Sequence, residues 1–390
     1  MAVQRRLSAK ENRRSVLLPT GDKPDIPFLI LLLALLSVGL TMLYSASFAQ
    51  SLYDTGYTVS GRYLQKQAVC AVIGLMAMYV LSRVPPTWWY KMAWPIYGVA
   101  IVLLLSVLVF GQSVNGAKRW INIGGLQFQP SEMAKFAMIV LFARLTTDFG
   151  ESSQTFRYGV LGFGAVLLGI LVPLALEKHL SAIMLMGLVA VVMMFVAGTH
   201  PKWLLAGAGA AVLFVAVYVS IMGYAGDRVT AWLHPEEDPR DTGYQILQSL
   251  YAIGSGGLFG LGFGKSRQKY LYLPFQYNDY IFAIICEELG FVGALLIVAL
   301  FACLILRGYW IALRAPDRFS TVLAAGLITL IAVQTVLNLG VVTNLLPSTG
   351  VALPFFSYGG TALAVNLGEM GVLLGISRYR KSPSPQEDVV

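Results

Sequence analysis

The sequence predicts an all-α polytopic membrane protein with about ten transmembrane helices and a large extracytoplasmic loop between spans seven and eight. Three observations support this. Of 390 residues, 57% are hydrophobic and only 12% are charged, far more apolar material than a soluble core of this size needs. Apolar runs of about 20 residues, the length that crosses a ~30 Å hydrocarbon core, recur along the whole chain. The runs are continuous rather than alternating, which selects helices over barrel strands.

A basic tail, residues 1–26, comes first. The run "PFLILLLALLSVGLTMLYSASFA" follows it and ends in "SFAQ", which resembles a signal-peptidase site. Its apolar part exceeds the ~7–15 residues of a signal h-region, so it reads as an uncleaved first helix. Spans are expected near 27–49, 63–84, 90–111, 130–147, 158–176, 181–198, 203–223, 279–306, 320–346 and 352–377, all in one membrane domain, 27–378. A second cytoplasmic tail, 379–390, closes the chain.

Lys and Arg in the short loops set the orientation. Arg5, Arg6, Lys10, Arg13, Arg14 and Lys23 lie in the first tail, Arg83, Lys91, Arg144, Arg157, Lys202, Arg307, Arg314 and Arg318 in even-numbered connections, and Arg378, Arg380 and Lys381 at the end. Both termini are therefore expected in the cytoplasm. The net charge of +8 is mostly this topology signal, and without a soluble basic domain it does not imply nucleic acid.

Two connections on the opposite face are long and polar, 111–130 and 224–278. The second far exceeds an ordinary ~2–8-residue link and is rich in Tyr, Leu, Phe and Gly, so it is expected to fold against the outer membrane surface. Within it, "GFGKS" invites a phosphate-loop reading, but Phe259 stands where that pattern requires glycine. "GSGGLFGLGFG" reads instead as a tight-turning, closely packed segment. Cys70, Cys286 and Cys303 are dispersed in apolar spans, and His179, His200 and His234 form no zinc-like pair.

Three polar clusters fall on the outer face. In "LPFQYNDYIFAIICEELG", Asp279 lies at the mouth of span eight, where it suits either a helix cap or proton exchange with a substrate. Glu287 and Glu288 lie ~12–14 Å deeper and suit a buried polar network. In "NGAKRWINIGGLQFQPSEMAK", Pro130 starts a helix on which Glu132 and Lys135 share one side, directly after Lys118, Arg119 and Trp120. Those cations suit either a diphosphate seat or lipid-headgroup anchoring. In "LLPSTGVALPFFSYGGTALAVNLGEMG", prolines and Gly359–Gly360 predict irregular backbone, tolerable only inside protein or beside a wet cavity.

These three blocks, in this order, resemble the signatures of the shape, elongation, division and sporulation family (FtsW, RodA and SpoVE), and the similarity spans nearly the whole chain. The wording of "QSLYAIGSGGLFGLGFGKSRQK" and "PSTG" is closer to the FtsW/SpoVE branch. The resemblance implies a peptidoglycan glycosyltransferase in the bacterial cytoplasmic membrane. Such an enzyme polymerises lipid II, inverts the anomeric centre and releases undecaprenyl diphosphate.

The implied partners are lipid II, a class B penicillin-binding protein, other divisome or elongasome membrane proteins, and membrane lipids. The family's essential aspartate maps onto Asp279, the expected general base. Substrate contacts are expected from Lys118, Arg119, Trp120, Gln129, Glu132, Lys135, Arg267 and Ser357. No cofactor is certain, and a divalent cation, Mg2+ or Mn2+, is the candidate counter-charge.

The chain departs from the family at Phe275, Tyr277 and Asn278, and in "LEKHLSA", where His179 occupies a position the family often gives to Asp. The rival reading is a lipid II flippase or another transporter of lipid-linked oligosaccharides. Transport needs polar access from both faces, whereas these clusters gather on one.

Overall fold

The computed structural model describes residues 23–114, 117–123, 126–207, 209, 230–237 and 243–379. Its helices are α1 (Ile26–Asp54), α2 (Arg62–Leu81), α3 (Pro86–Phe110), α4 (Pro130–Phe149), α5 (Phe163–Leu176), α6 (Leu180–Val196), α7 (Tyr244–Ser255), α8 (Ile281–Leu313), α9 (Arg318–Val342) and α10 (Thr361–Ser377). Among the described residues, six stretches are long and apolar enough to cross a membrane: α1, α2, α3, α8, α9 and the run from Arg157 through α5. The molecule is thus a mostly helical, multi-pass membrane protein. Most of the span expected at 203–223, and part of loop 224–278, lie outside the described residues.

Nine of the expected spans meet helices, with informative differences. Connection 111–130 is not purely irregular: it folds as an antiparallel three-stranded sheet, β1 (Gln112–Val114), β2 (Ala117–Ile123) and β3 (Leu126–Phe128). The helical reading of the spans stands, with this small sheet added between α3 and α4. The β-branched and aromatic residues Trp120, Ile121 and Ile123 suit the central strand.

The last span starts at Thr361 rather than 352, because Pro354 and Gly359–Gly360 leave the preceding backbone unwound. That backbone is buried and still satisfied. The Gln67 side chain donates to Ser357 O at 3.1 Å and accepts from Gly359 N and Gly360 N at 3.3 and 3.0 Å. On the other side Phe355 O presses on α1 at Gly39, where an added Cβ would sit 2.4 Å from it.

Small residues let the helices meet. At Gly371 of α10 an added Cβ would come within 2.5 Å of Met78 O on α2, and at Gly74 of α2 within 2.9 Å of Ala364 Cα. Close backbone approach is what drives helix association where lipid already solvates apolar side chains. One end of the bundle is tied by Asp25. It caps α1 through Phe28 N, receives both arms of Arg307 at 2.9 Å, and donates its own N–H to Ser377 Oγ.

The glycine-rich segment after α7 packs against the backbone of α8, as its composition implied. Helix α8 breaks at Gly290 (φ 69, ψ −171), and segment 256–262 supplies the missing partners. Leu261 N and Gly262 N donate to Glu287 O and Glu288 O, while Phe291 N and Val292 N donate to Gly257 O and Leu258 O. Glu287 and Glu288, both buried, hold the returning chain: Glu287 accepts from Arg267 N and Ser266 Oγ, and Glu288 from Gly264 N, Ser266 N and Ser45 Oγ. Lys269, itself buried, pairs with Glu288 at 2.9 Å. The two acids are the structural network that their depth suggested.

Candidate functional site

At the end of the bundle opposite Asp25, a cavity of about 1100 Å³ opens between the starts of α2, α4, α6 and α8 and the unwound segment before α10. Asp279 lies in its wall, half-buried. The N-cap of α8 is Tyr280, so Asp279 sits one residue ahead of the cap position.

Its backbone is fixed from two neighbouring elements. Asn338 Nδ2 of α9 donates to Asp279 O at 2.7 Å and to Val351 O at 2.9 Å. Ser357 Oγ donates to Asn278 O at 2.6 Å, and Tyr358 N to Tyr277 O at 2.9 Å. Gly350 (φ +71) lies against the carboxylate: a Cβ there would stand 3.3 Å from Oδ2.

Of the residues expected to bind substrate, Arg119, Trp120, Gln129, Glu132, Lys135 and Ser357 line the cavity with Asp279. Two others lie outside that lining. Lys118 projects from β2 as an exposed side chain outside the cavity lining, and Arg267 is exposed on the return arm beside Glu287, to which its N–H donates. Glu132 and Lys135 form a buried ion pair at 2.7 Å, as one helical turn allows.

Sequence reading missed several lining residues. Arg62 and Lys66 share a face of α2, and Tyr63 between them packs against Tyr277 and Tyr358 at 4.4 and 5.0 Å. Cations at that end of a span break the charge rule just as those in the loops do, which is the signal that marks them.

The connection Glu177–His179 is another such contribution. Lys178 holds a left-handed backbone (φ 55), and its carbonyl accepts from Arg119 Nη2. Burial pushes the Glu177 carboxyl up to about 8 against the pull of Arg119. Burial, with Arg119 and Lys135 adding to it, holds the His179 imidazole down to about 3. Glu177 thus tends toward the neutral acid at neutral pH and His179 is a neutral base, leaving Arg119 and Lys178 as the local positive charge beside the Glu132–Lys135 pair, which is neutral as a unit.

Among the described residues no group of three or more His, Cys, Asp or Glu side chains gathers to hold a metal. The cavity therefore offers a carboxylate, a set of cations, and neutral hydrogen-bonding groups from Tyr277, Thr349, Ser181 and Asn366. Of the carboxylates lining the cavity, Glu132 is paired with Lys135; Asp279, facing a cationic, phenol-lined space, suits proton removal beside an anionic leaving group.

Fold and site together define a polytopic membrane protein whose polar chamber opens at one end of its helix bundle. The chain belongs to the FtsW/RodA/SpoVE family, described as cell cycle protein, whose profile matches residues 26–382. It is similar to a probable peptidoglycan glycosyltransferase FtsW from Geobacter metallireducens, 39% identical over 365 residues, covering 92% of this chain and 96% of that one. It is also similar to stage V sporulation protein E from Bacillus subtilis, 40% identical over 361 residues, covering 92% and 98%. A chain from a solved structure showing coordination of polymerization and crosslinking by a peptidoglycan synthase complex superposes with a TM-score of 0.77 at 28% identity, covering 92% and 99%.

Proposed function

We propose that this chain is a peptidoglycan glycosyltransferase that polymerises lipid II, with Asp279 as general base. The observation that carries the assignment is Asp279, half-buried in the wall of a cavity that also holds Arg119, Lys135 and Lys178. The acceptor's sugar 4-hydroxyl attacks the donor's anomeric carbon and gives its proton to the Asp279 carboxylate. The bond from that carbon to the diphosphate oxygen breaks, the configuration inverts from α to β, and undecaprenyl diphosphate leaves.

That leaving group needs positive charge rather than a proton, and the cation cluster supplies it. Proton removal by a positioned base is worth roughly 10²–10⁴-fold in rate. A divalent cation would add to that charge from the diphosphate side, since such an ion needs only one or two carboxylates beside the phosphates.

The bundle is placed with ten spans in the bacterial cytoplasmic membrane, both termini inside and the cavity facing out. The loop charges support this orientation. So does the meeting of the start of α1 with the ends of α8 and α10 at Asp25. The partner is a class B penicillin-binding protein, a reading supported by the synthase complex that this chain resembles.

Purified protein, alone and with that partner, is to be incubated with lipid II and the products resolved by length. Glycan polymer from the wild type and none from a folded Asp279→Asn variant is the expected result. Lipid translocation without polymer would instead establish the flippase.

A further inference from the structure

We infer that residues 244–275 form a re-entrant hairpin that enters the hydrocarbon from the cavity side, its tip at Leu258 and Phe259 facing lipid acyl chains. The hydrogen bonds from Phe291 and Val292 to Gly257 and Leu258 fix the tip level with residues 290–292 of α8. Helix α8 is a spanning helix, so depth can be counted along it. From Arg307, whose ion pair with Asp25 marks one membrane edge, the tip lies roughly 24 Å up, or about 6 Å below the far edge of a ~30 Å core. From Ile281, the first residue of α8, it lies roughly 15 Å down. Both counts place it inside hydrocarbon.

The side chains fit that place. Leu258 and Phe259 are 64% and 80% exposed, and they continue the lipid-facing surface of α8 at Phe291, Leu295 and Leu296. Helix α7 forms the descent, and the return arm buries Ser266 and Lys269 while its exposed Lys265 and Arg267 have stems long enough to carry their charges to the nearby interface. Glu288, Ser45 and Lys269 bond one another, Glu288 also accepts from the N–H groups of 264 and 266, and Glu287 accepts from that of 267. Non-helical backbone at membrane depth is tolerated only with such internal satisfaction. Glycine is needed where the arms touch α8: an added Cβ at Gly260 would meet Glu288 O at 2.2 Å, and one at Gly256 would meet Cys286 O at 2.0 Å.

Nitroxide spin labels test the depth. With Cys70, Cys286 and Cys303 replaced by alanine, Phe259→Cys, Tyr251→Cys, Leu296→Cys and Thr58→Cys are labelled in the full chain in lipid nanodiscs. The label at 259 is expected to collide with oxygen and lose collisions with a water-soluble nickel chelate, as at 296. Position 251, higher on α7, should fall between 259 and the aqueous control 58. A label at 259 that meets the chelate as freely as at 58 overturns the hairpin.

Because the cysteine-free chain can fail to fold, p-benzoylphenylalanine placed at Phe259 in the otherwise native chain gives an independent reading. Photo-adducts with phospholipid support the inference. Their absence at 259, with adducts present from the same residue placed at Leu296, overturns it.

Discussion

Asp279 was visible in the sequence because a carboxylate at the mouth of an apolar run is costly unless used. What holds it was not visible. Asn338, Ser357 and Gly350 come from segments 59 to 79 residues away, and nothing in local spacing links them. Gly350→Ala tests that hold. The new methyl would stand 3.3 Å from Oδ2 on a backbone with φ +71, a left-handed conformation that costs an L-residue about 1–2 kcal/mol. Polymerisation per folded molecule is expected to fall about tenfold or more, as sub-ångström to ångström misplacement of a catalytic group does, while Asp279→Asn abolishes it.

Glu177 offers a pH test. Its folded carboxyl titrates near 8 against an ordinary 4.5, so the folded chain binds more protons across that interval. The stability this confers is complete below pH 4.5 and is lost as pH rises through about 8. Thermal unfolding in detergent should therefore show a wild-type melting temperature that drops relative to Glu177→Gln over that rise. Parallel curves would refute the assignment.

Elements were legible where the apolar run was long and uninterrupted. Helices α1, α3 and α8 needed only composition, whereas the sheet in 111–128 rests on short strands whose pairing is set by turns. The break in α8 at Gly290 was hidden because glycine inside an apolar run looks like ordinary span material. The polarity of the network around it was legible in another form: two adjacent acids deep in a span predicted internal partners, and Lys269 is one. Lys269→Met leaves Glu288 buried and short of its charge partner, a change worth about 3–5 kcal/mol. The melting temperature should fall sharply, and more than for Lys265→Met, whose exposed side chain has no such pair among the described residues.

For the molecule as a whole, the two ends of the bundle separate stability from chemistry. The Asp25–Arg307 pair binds three helices far from the cavity. Arg307→Leu is expected to lower the melting temperature, since Asp25 stays buried, yet leave polymer made per folded molecule unchanged. A proportional loss of specific activity would show that the ends are coupled. Membrane class and the gathering of the polar clusters at one end of the bundle were readable from the chain, because lipid demands apolar spans and confines polar groups to their ends or to protein-lined cavities. The cavity was not, since its wall is assembled from the ends of many spans. Arg62, Lys66 and His179 become neighbours of Asp279 only after folding.

Gln67 shows how little separates an orderly lead-in to α10 from a collapsed one. Its carboxamide gives a proton to one carbonyl and receives from two amide N–H groups, a combination that no acid at neutral pH, amine or aliphatic chain can match. The chain approaching the final helix therefore depends on one amide donated by a distant span, and Gln67→Glu would trade a shared proton for a repelled carbonyl at the rim of the chamber.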